Sequence, residues 1–351
     1  MTWYDGVEMI EFGARALAAV GVPSDAAELT ARSLVIADQR GTHSHGMLRL
    51  PLYVSAIEQG GINVSPKIRW VREGSATGLL DADAALGQVA MQVAVERGAH
   101  IARDQGVAVI AVQGGSHYGA GSFWAEQLTS AGFLAMVTST TGPVVAPYGG
   151  AEKIFGTNPL TLASPGGGPE ALVADLATST GAYGKVIAAK NAGEKIPEGW
   201  AVGPDGQPTT DPDSAMAGAL TPFGGHKGSA IAAALEAFSA VLGQGTFAFE
   251  TEDIWSNPAS RMNIGQLLIV INPDFFGGRS SAESRTVSLL TAIRGAAGAD
   301  GETLAPGDPE RRRAALSGTR VELASSVVAG LTRLANRLKL SYPAARTHPS
   351  E

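Results

Sequence analysis

Apolar positions recur at helical spacing through the first sixty residues. Val7, Ile10, Leu17 and Val20 would share one face of a helix that stops at Gly21-Val22-Pro23. Ser24 sits where it could cap a second helix, ending near residues 36–38. Pro51 suits the first turn of a third helix running to Gln59, with Gly60-Gly61 as its stop. From about residue 67 the period changes. Residues 67–73 and 78–83 read as strands, and 88–106 as a helix with a glycine stop. The run GVAVIAV (106–112) is apolar and β-branched throughout, as in a strand buried on both faces. A helix (122–132) and a second buried strand (133–140) follow, with further strands expected at 158–163, 170–177 and 266–273.

This alternation predicts a layered α/β domain over 67–279. The helix at 228–243 has few large polar side chains, which predicts burial on most sides. Segments 284–295 and 321–340 are amphipathic, so residues 1–66 and 280–340 are expected to form one helical domain, leaving 341–351 as a tail. Residues 196–218 read as a long turn-rich loop, a length that is often functional.

Composition narrows the chemistry. The chain has no cysteine, which removes disulfides, thiolate metal sites and a cysteine nucleophile. Its net charge is −7 and no basic stripe runs along it, so neither nucleic acid nor an anionic membrane is expected as a partner. No apolar run is long enough for a membrane-spanning helix, and the acidic first dozen residues are unlike a signal peptide, so a cytoplasmic location is expected. The 45 glycines point to many tight turns and close backbone approaches.

No ordinary nucleotide fingerprint is present. Gly119-Ala120-Gly121 opens a G-x-G-x-x-W run in which Trp124 stands where the third glycine belongs, and no acid follows at the ribose position near residues 138–140. The other match, 243–248, follows a helix rather than a strand.

The segment THSHGMLRL (42–50) concentrates chemistry. His43 and His45 could ligate a metal together with His117, but no carboxylate lies nearby. Ser44 and His45 are adjacent, an unpromising arrangement for a hydrolase, and no G-x-S-x-G elbow exists. A loop cap is the plain structural reading. A second Ser-His pair, Ser116-His117, lies in the glycine-rich turn after the best buried strand, where α/β folds place ligands. A histidine can exchange a proton near neutral pH, and Arg49 could clamp a carboxylate by two parallel bonds. Thr157-Asn158 precede a proline, Asp175 closes a strand, and Gly225-His226-Lys227 open a helix whose N-terminus suits an anion.

Six runs occur in order: RGTHSHGMLRLPLY, GGSHYGAGSFWAEQLTSAG, VAPYGGAEKIFGTNPL, DLATSTGAYGKV, IPEGWAVGPDGQPTTDP and PFGGHKG. Together they resemble the malate/L-lactate dehydrogenase family of the non-Rossmann type. That family includes sulfolactate, ureidoglycolate and diketogulonate oxidoreductases and the piperideine/pyrroline-2-carboxylate reductases. The resemblance spans about residues 5–335. It implies a family-specific mixed-sheet α/β fold, NAD or NADP as cofactor, a small carboxylate substrate and a homodimer with the site near the subunit interface.

The resemblance also implies residue roles. Ser44 and His45 match the pair engaged in proton transfer, with Asp175 and His117 lining the same site. Arg49 matches the substrate-carboxylate residue, and Thr157, in the shared GTNP turn, is a second substrate-binding position. Ser139, Asn158, Asp175, Lys185, Gly225 and Lys227 match cofactor positions. No metal is implied. The expected reaction is hydride transfer between nicotinamide and a 2-hydroxy/2-oxo acid. The alternative is reduction of a cyclic 2-imino acid, with a metal-dependent hydrolase or a non-catalytic nucleotide-binding protein behind it. The family's G-H-F-F stands here as Gly265-Gln266-Leu267-Leu268, and its K-G-Y-G-L as 227–231, KGSAI, so the pocket differs from that of a typical malate or lactate enzyme.

Overall fold

A computed structural model describes residues 1–351 except 169, 297, 299, 300 and 347–351; the last five of the expected tail thus lie outside the described residues. The centre is a seven-stranded mixed sheet. Its spatial order is Arg69–Glu73, Thr77–Asp81, Val107–Gly115, Ile264–Ile271, Leu134–Ser139, Leu160–Ser164, Leu172–Leu176. Thr77–Asp81 and Val107–Gly115 run parallel, and every other neighbouring pair is antiparallel. The late strand Ile264–Ile271 lies between Val107–Gly115 and Leu134–Ser139, which are themselves joined by the helix Gly121–Ser130. Its sequence, IGQLLIVI, is apolar on both sides of the pleat, as a central strand covered on two faces requires.

Helices Gly87–Gln105 and Gly121–Ser130 bring Met91, Trp124 and Leu128 onto Ile110, Leu268 and Val270. The helix His226–Gly243 lies against the same central strands where Gly265 meets the Ser239 backbone, on the side to which alternate residues point. A second core joins Met9, Phe12, Leu17, Leu34, Leu50 and Tyr53 of the N-terminal helices to Val321, Leu323, Leu331 and Leu334 from the C-terminal part. The helix Arg279–Gly295 instead reaches the central sheet, where the Ser164 and Thr286 hydroxyls bond at 2.8 Å.

Local readings needed correction where distant chain segments decide. The first residues form a strand, Thr2–Asp5, paired with Arg320–Leu323, so the start of the segment read as helix 321–340 is sheet and its helix is Ser325–Leu338. Asp5 then caps the first helix by accepting from the Val7 and Glu8 N–H groups. That cap turns the helix so that Met9, Phe12, Ala16 and Leu17 face inward while Val7 is 59% exposed. Ser24 is already helical and makes no capping bond. The loop at 196–218 holds a short strand pair, Ala201–Val202 with Pro208–Thr209, and a helix, Pro212–Ala217, and Ala219–Leu220 completes this small sheet. The helix His226–Gly243 is covered on one side only: Ile231, Phe238, Val241 and Leu242 face out.

Candidate active site

THSHGMLRL folds as two consecutive turns of 3-10 helix, His43–His45 and Met47–Arg49. The carboxylate of buried Asp38 organises them. It accepts from the Met47 N–H at 2.7 Å and pairs with His43 Nδ1 at 2.9 Å. A Cβ on Gly46 would stand 2.2 Å from that carboxylate, so only glycine lets the turn close over it. His43 is thereby spent on the scaffold. Among the described residues, no three His, Asp or Glu side chains come together as a metal site, so the histidines do not assemble the ligand set considered for a hydrolase.

The tight turn does what an extended pair could not: Ser44 Oγ meets the adjacent His45 Nδ1 at 2.8 Å. The Ser44 carbonyl accepts from Arg49 Nε at 2.6 Å, and the guanidinium lies 4.0 Å above the Trp255 ring. The rings of His45 and His117 stack at 5.4 Å, and Trp255 meets His117 edge-on at 5.6 Å. His45, Arg49 and His117 thus form one cluster, crowded by protein yet still reached by solvent.

Electrostatics in this cluster is one-sided. Burial lowers His45 to about 4, the positive Arg49 acts in the same direction, and Asp175 opposes both. His117 is held well below its ordinary value by burial, then by Arg49 and His45. Both imidazoles are neutral at neutral pH. Burial also lowers Arg49 to about 10, with Tyr53 and Asp253 working against it, so the guanidinium keeps its charge.

Asp175, at the end of Leu172–Leu176, accepts from Thr161 Oγ1 at 2.8 Å and from the Ser122 N–H at 2.9 Å. It therefore caps the helix Gly121–Ser130 from another strand, and its charge also reaches His45. Buried Ser139 lies 3.4 Å from the Tyr118 hydroxyl, beside His117. Thr157 is bonded through its N–H to Thr141 Oγ1, and its carbonyl accepts from the Thr178 N–H and hydroxyl, which ties the GTNP turn to the DLATST run. The Asn158 side chain is fully enclosed. Its amide donates to Glu236 Oε2 at 2.6 Å and to the Ala232 carbonyl, holding the turn against the helix His226–Gly243.

At the start of that helix, Gly225 adopts φ +63° and ψ −125°, which favours glycine, and no side chain caps the first turn. The turn opens on a cavity of about 350 Å³ lined by Tyr148, Gly149, Thr180, Thr221, Gly224 and Gly225, among others. A helix N-terminus with no side-chain cap, beside a cavity rich in glycine and threonine, fits the phosphate groups of a dinucleotide. Lys227 is exposed near it, and Lys185 lies in the first turn of the helix Tyr183–Ala192 with its ammonium 6.0 Å from the Trp200 ring. The charge of Asp253 acts on both Arg49 and Tyr183.

Sequence reasoning missed Tyr53, Gln88, Tyr118, Asp253 and Trp255. The first three look like core residues in any linear reading. Trp255 carried a usable signal: a large aromatic in the polar, proline-containing run EDIWSNPAS.

The profile of the malate/L-lactate dehydrogenase family matches residues 5–332. The chain is 38% identical to the L-sulfolactate dehydrogenase of Methanocaldococcus jannaschii, over 92% of this chain and 93% of that protein. It is 38% identical to the ureidoglycolate dehydrogenase (NAD(+)) of Escherichia coli K12, over 87% and 88%. It is 39% identical to the (2R)-3-sulfolactate dehydrogenase (NADP(+)) of Chromohalobacter salexigens, over 74% and 78%. The solved structure of the M. jannaschii sulfolactate dehydrogenase superposes with a TM-score of 0.90 at 36% identity, covering 96% of this chain and 98% of that one. The delta1-piperideine-2-carboxylate reductase of Pseudomonas syringae superposes at 0.86 with 32% identity, covering 95% and 100%. A matching profile over nearly the whole length, the shared fold and the histidine–arginine cluster lead to one conclusion: the chain belongs to the malate/L-lactate dehydrogenase family.

Proposed function

We propose that this enzyme is an NAD(P)-dependent dehydrogenase of a small 2-hydroxy acid, such as malate, sulfolactate or ureidoglycolate, with the reaction centred on the His45–Arg49–His117 cluster. The observation that carries this reading is the Arg49 guanidinium over Trp255, beside the stacked and uncharged rings of His45 and His117, in a place solvent can reach. When bound, the nicotinamide supplies or takes the hydride. The residues of the chain do the rest. Arg49, braced by the Ser44 carbonyl and the Trp255 face, holds the substrate carboxylate and so fixes which face of the neighbouring carbon is presented. Thr157 lines the substrate side.

His45 carries the proton of the substrate oxygen, with Ser44 on its other nitrogen. Substrate binding helps here. A carboxylate on Arg49 cancels a positive charge that holds His45 down, bringing its basicity toward the range where proton exchange is fast. His117 polarises the same oxygen. Asp175 supports His45 electrostatically and, with Ser139, Lys185, Gly225 and Lys227, faces the cofactor. Asn158 serves from behind by holding its turn.

The layout we propose places cofactor contacts on the central domain (67–279) and the catalytic pair on a helical domain drawn from 1–66 and 280–340. A homodimer would cover the uncharged outer face of Ile231, Phe238, Val241 and Leu242. The test is oxidation of NADH and NADPH against a panel of 2-oxo acids and cyclic imines, with excess chelator present. Turnover of a 2-oxo acid is expected, and His45→Ala should bind the cofactor yet lose about 10²–10⁴ in kcat. An unchanged kcat in His45→Ala sinks the proton role, and turnover confined to cyclic imines overturns the substrate class.

A further inference from the structure

His117 can polarise a substrate oxygen only if the ring nitrogen facing the reaction carries a hydrogen. A neutral imidazole has two tautomers, and burial keeps His117 neutral, so something must choose between them. Two hydrogen bonds converge on Nδ1. The Tyr53 hydroxyl lies 2.6 Å from it, and the Gly119 N–H points to it at 3.4 Å. A backbone N–H can only donate, so this contact favours a lone pair on Nδ1, but at 3.4 Å it is too long to fix the tautomer alone; Tyr53, in the short bond, must donate as well. The hydroxyl oxygen of Tyr53 is then left as an acceptor. Gln88 Nε2 fills that place at 3.2 Å, from a fully buried side chain in the first turn of the helix Gly87–Gln105.

We infer that Gln88, acting through Tyr53, is the positioning residue that keeps the proton of His117 on Nε2. The inference rests on the place given to His117 above. The two bonds of the relay point the same way, from Gln88 to Tyr53 to Nδ1, and the Gly119 N–H ends on the same nitrogen. The amide orientation is set by the same logic. Turned over, Gln88 would demand the Tyr53 proton, Tyr53 would need a proton from Nδ1, and Nδ1–H would face the Gly119 N–H. The helix start is pressed onto the same turn: a Cβ on Gly87 would stand 2.4 Å from the His117 carbonyl oxygen. Its positive end further disfavours an imidazolium, so the choice of tautomer is the only protonation choice left to this ring. The chain of donors ends at an amide, which neither takes up nor gives a proton. His117 is thereby a fixed donor, and His45 is left to exchange protons with the substrate.

The test reads the tautomer directly. Enzyme labelled with ¹⁵N in its six histidines, with the His117 signals identified by their loss in His117→Gln, should show Nδ1 bare and Nε2 protonated. Gln88→Met keeps the volume and removes the amide. It should give mixed His117 tautomers and a kcat lowered about five- to tenfold, with KM for the acid within about twofold because Arg49 is untouched. Tyr53→Phe should lower kcat at least as much. A wild-type His117 protonated on Nδ1 overturns the inference, as does a Gln88→Met enzyme whose tautomer is that of the wild type. Tautomers that mix in Gln88→Met while kcat stays unchanged uphold the part played by Gln88 and overturn instead the part played by His117 in the reaction.

Discussion

Replacing Arg49 by lysine keeps a positive charge and should still cripple substrate binding, for two separable reasons. The first is geometry. Arg49 spends its Nε on the Ser44 carbonyl at 2.6 Å, and the planar group over Trp255 leaves its terminal nitrogens for the substrate. A lysine ammonium cannot brace itself and grip two carboxylate oxygens at once. Losing one charge-assisted bond costs about 1.5–3 kcal/mol, which raises KM about 10- to 100-fold near pH 7. The second reason is burial. The site lowers arginine from 12.5 to about 10, equivalent to about 3 kcal/mol against the charged form. Arginine starts high enough to absorb that. Lysine, ordinarily near 10.4, starts lower and is brought toward the working pH range by the same burial. The charged form is the one that binds carboxylate, so binding is lost as the pH rises.

Steady-state kinetics at saturating NAD(P)H between about pH 6 and 9 separates the two effects. Wild-type KM should be flat across that range in its Arg49-dependent part. The Arg49→Lys enzyme should start weak and weaken further as the pH rises. A variant KM within about threefold of wild type near pH 7, with no rise above it, refutes both the clamp and the burial argument.

Acid stability offers an independent reading of His45. Above about pH 6.5 the folded and unfolded chains both hold it neutral; as the pH falls toward 4 the unfolded chain takes up a proton that the folded site refuses, so about 3 kcal/mol of stability is lost across that window. In thermal melts the advantage of wild type over His45→Ala should shrink by that much between the two pH values, and a constant difference contradicts the burial of a neutral ring. Gly46→Ala should lower stability by about 2 kcal/mol or more and raise KM as well, because the new methyl collides with the Asp38 carboxylate that shapes the turn. A melting temperature within about one degree of wild type would show that the turn yields.

Much of this was legible in the chain because the period of apolar positions marks the central strands and the site motifs sit in glycine-rich turns beside them. Val107–Gly115, Leu134–Ser139 and Ile264–Ile271 stand where continuous apolar runs put them. Local patterns fail where a distant segment sets the geometry. The spacing of Val7 gives a period without a phase, and the phase is set by Asp5 and by a strand partner more than three hundred residues away, which turn it outward. The composition around Ile231, Phe238 and Val241 predicts burial, but composition records apolarity and says nothing of what covers it. Gln88 and Tyr53 carry no motif, and their meaning comes from the His117 ring they meet in space. Adjacent side chains in an extended segment diverge, a rule that the 3-10 turn joining Ser44 to His45 does not obey.

The position of Ile264–Ile271 has a consequence for how the protein is made. That strand separates two others that precede it by more than a hundred residues, and each of those has one edge with no partner until it arrives. A chain emerging from the ribosome can form its N-terminal helices early, but it must carry open apolar strand edges while more than a hundred further residues are made. Insertion of one late strand between two waiting ones is a long-range event, slow by loop-closure entropy and exposed to wrong pairing in the interval. The same insertion brings Gln266 to the Ser116 carbonyl behind His117, at 2.8 Å. The reaction centre is therefore among the last parts of the molecule to be completed, and a nascent chain that pauses before residue 264 is both inactive and prone to aggregate.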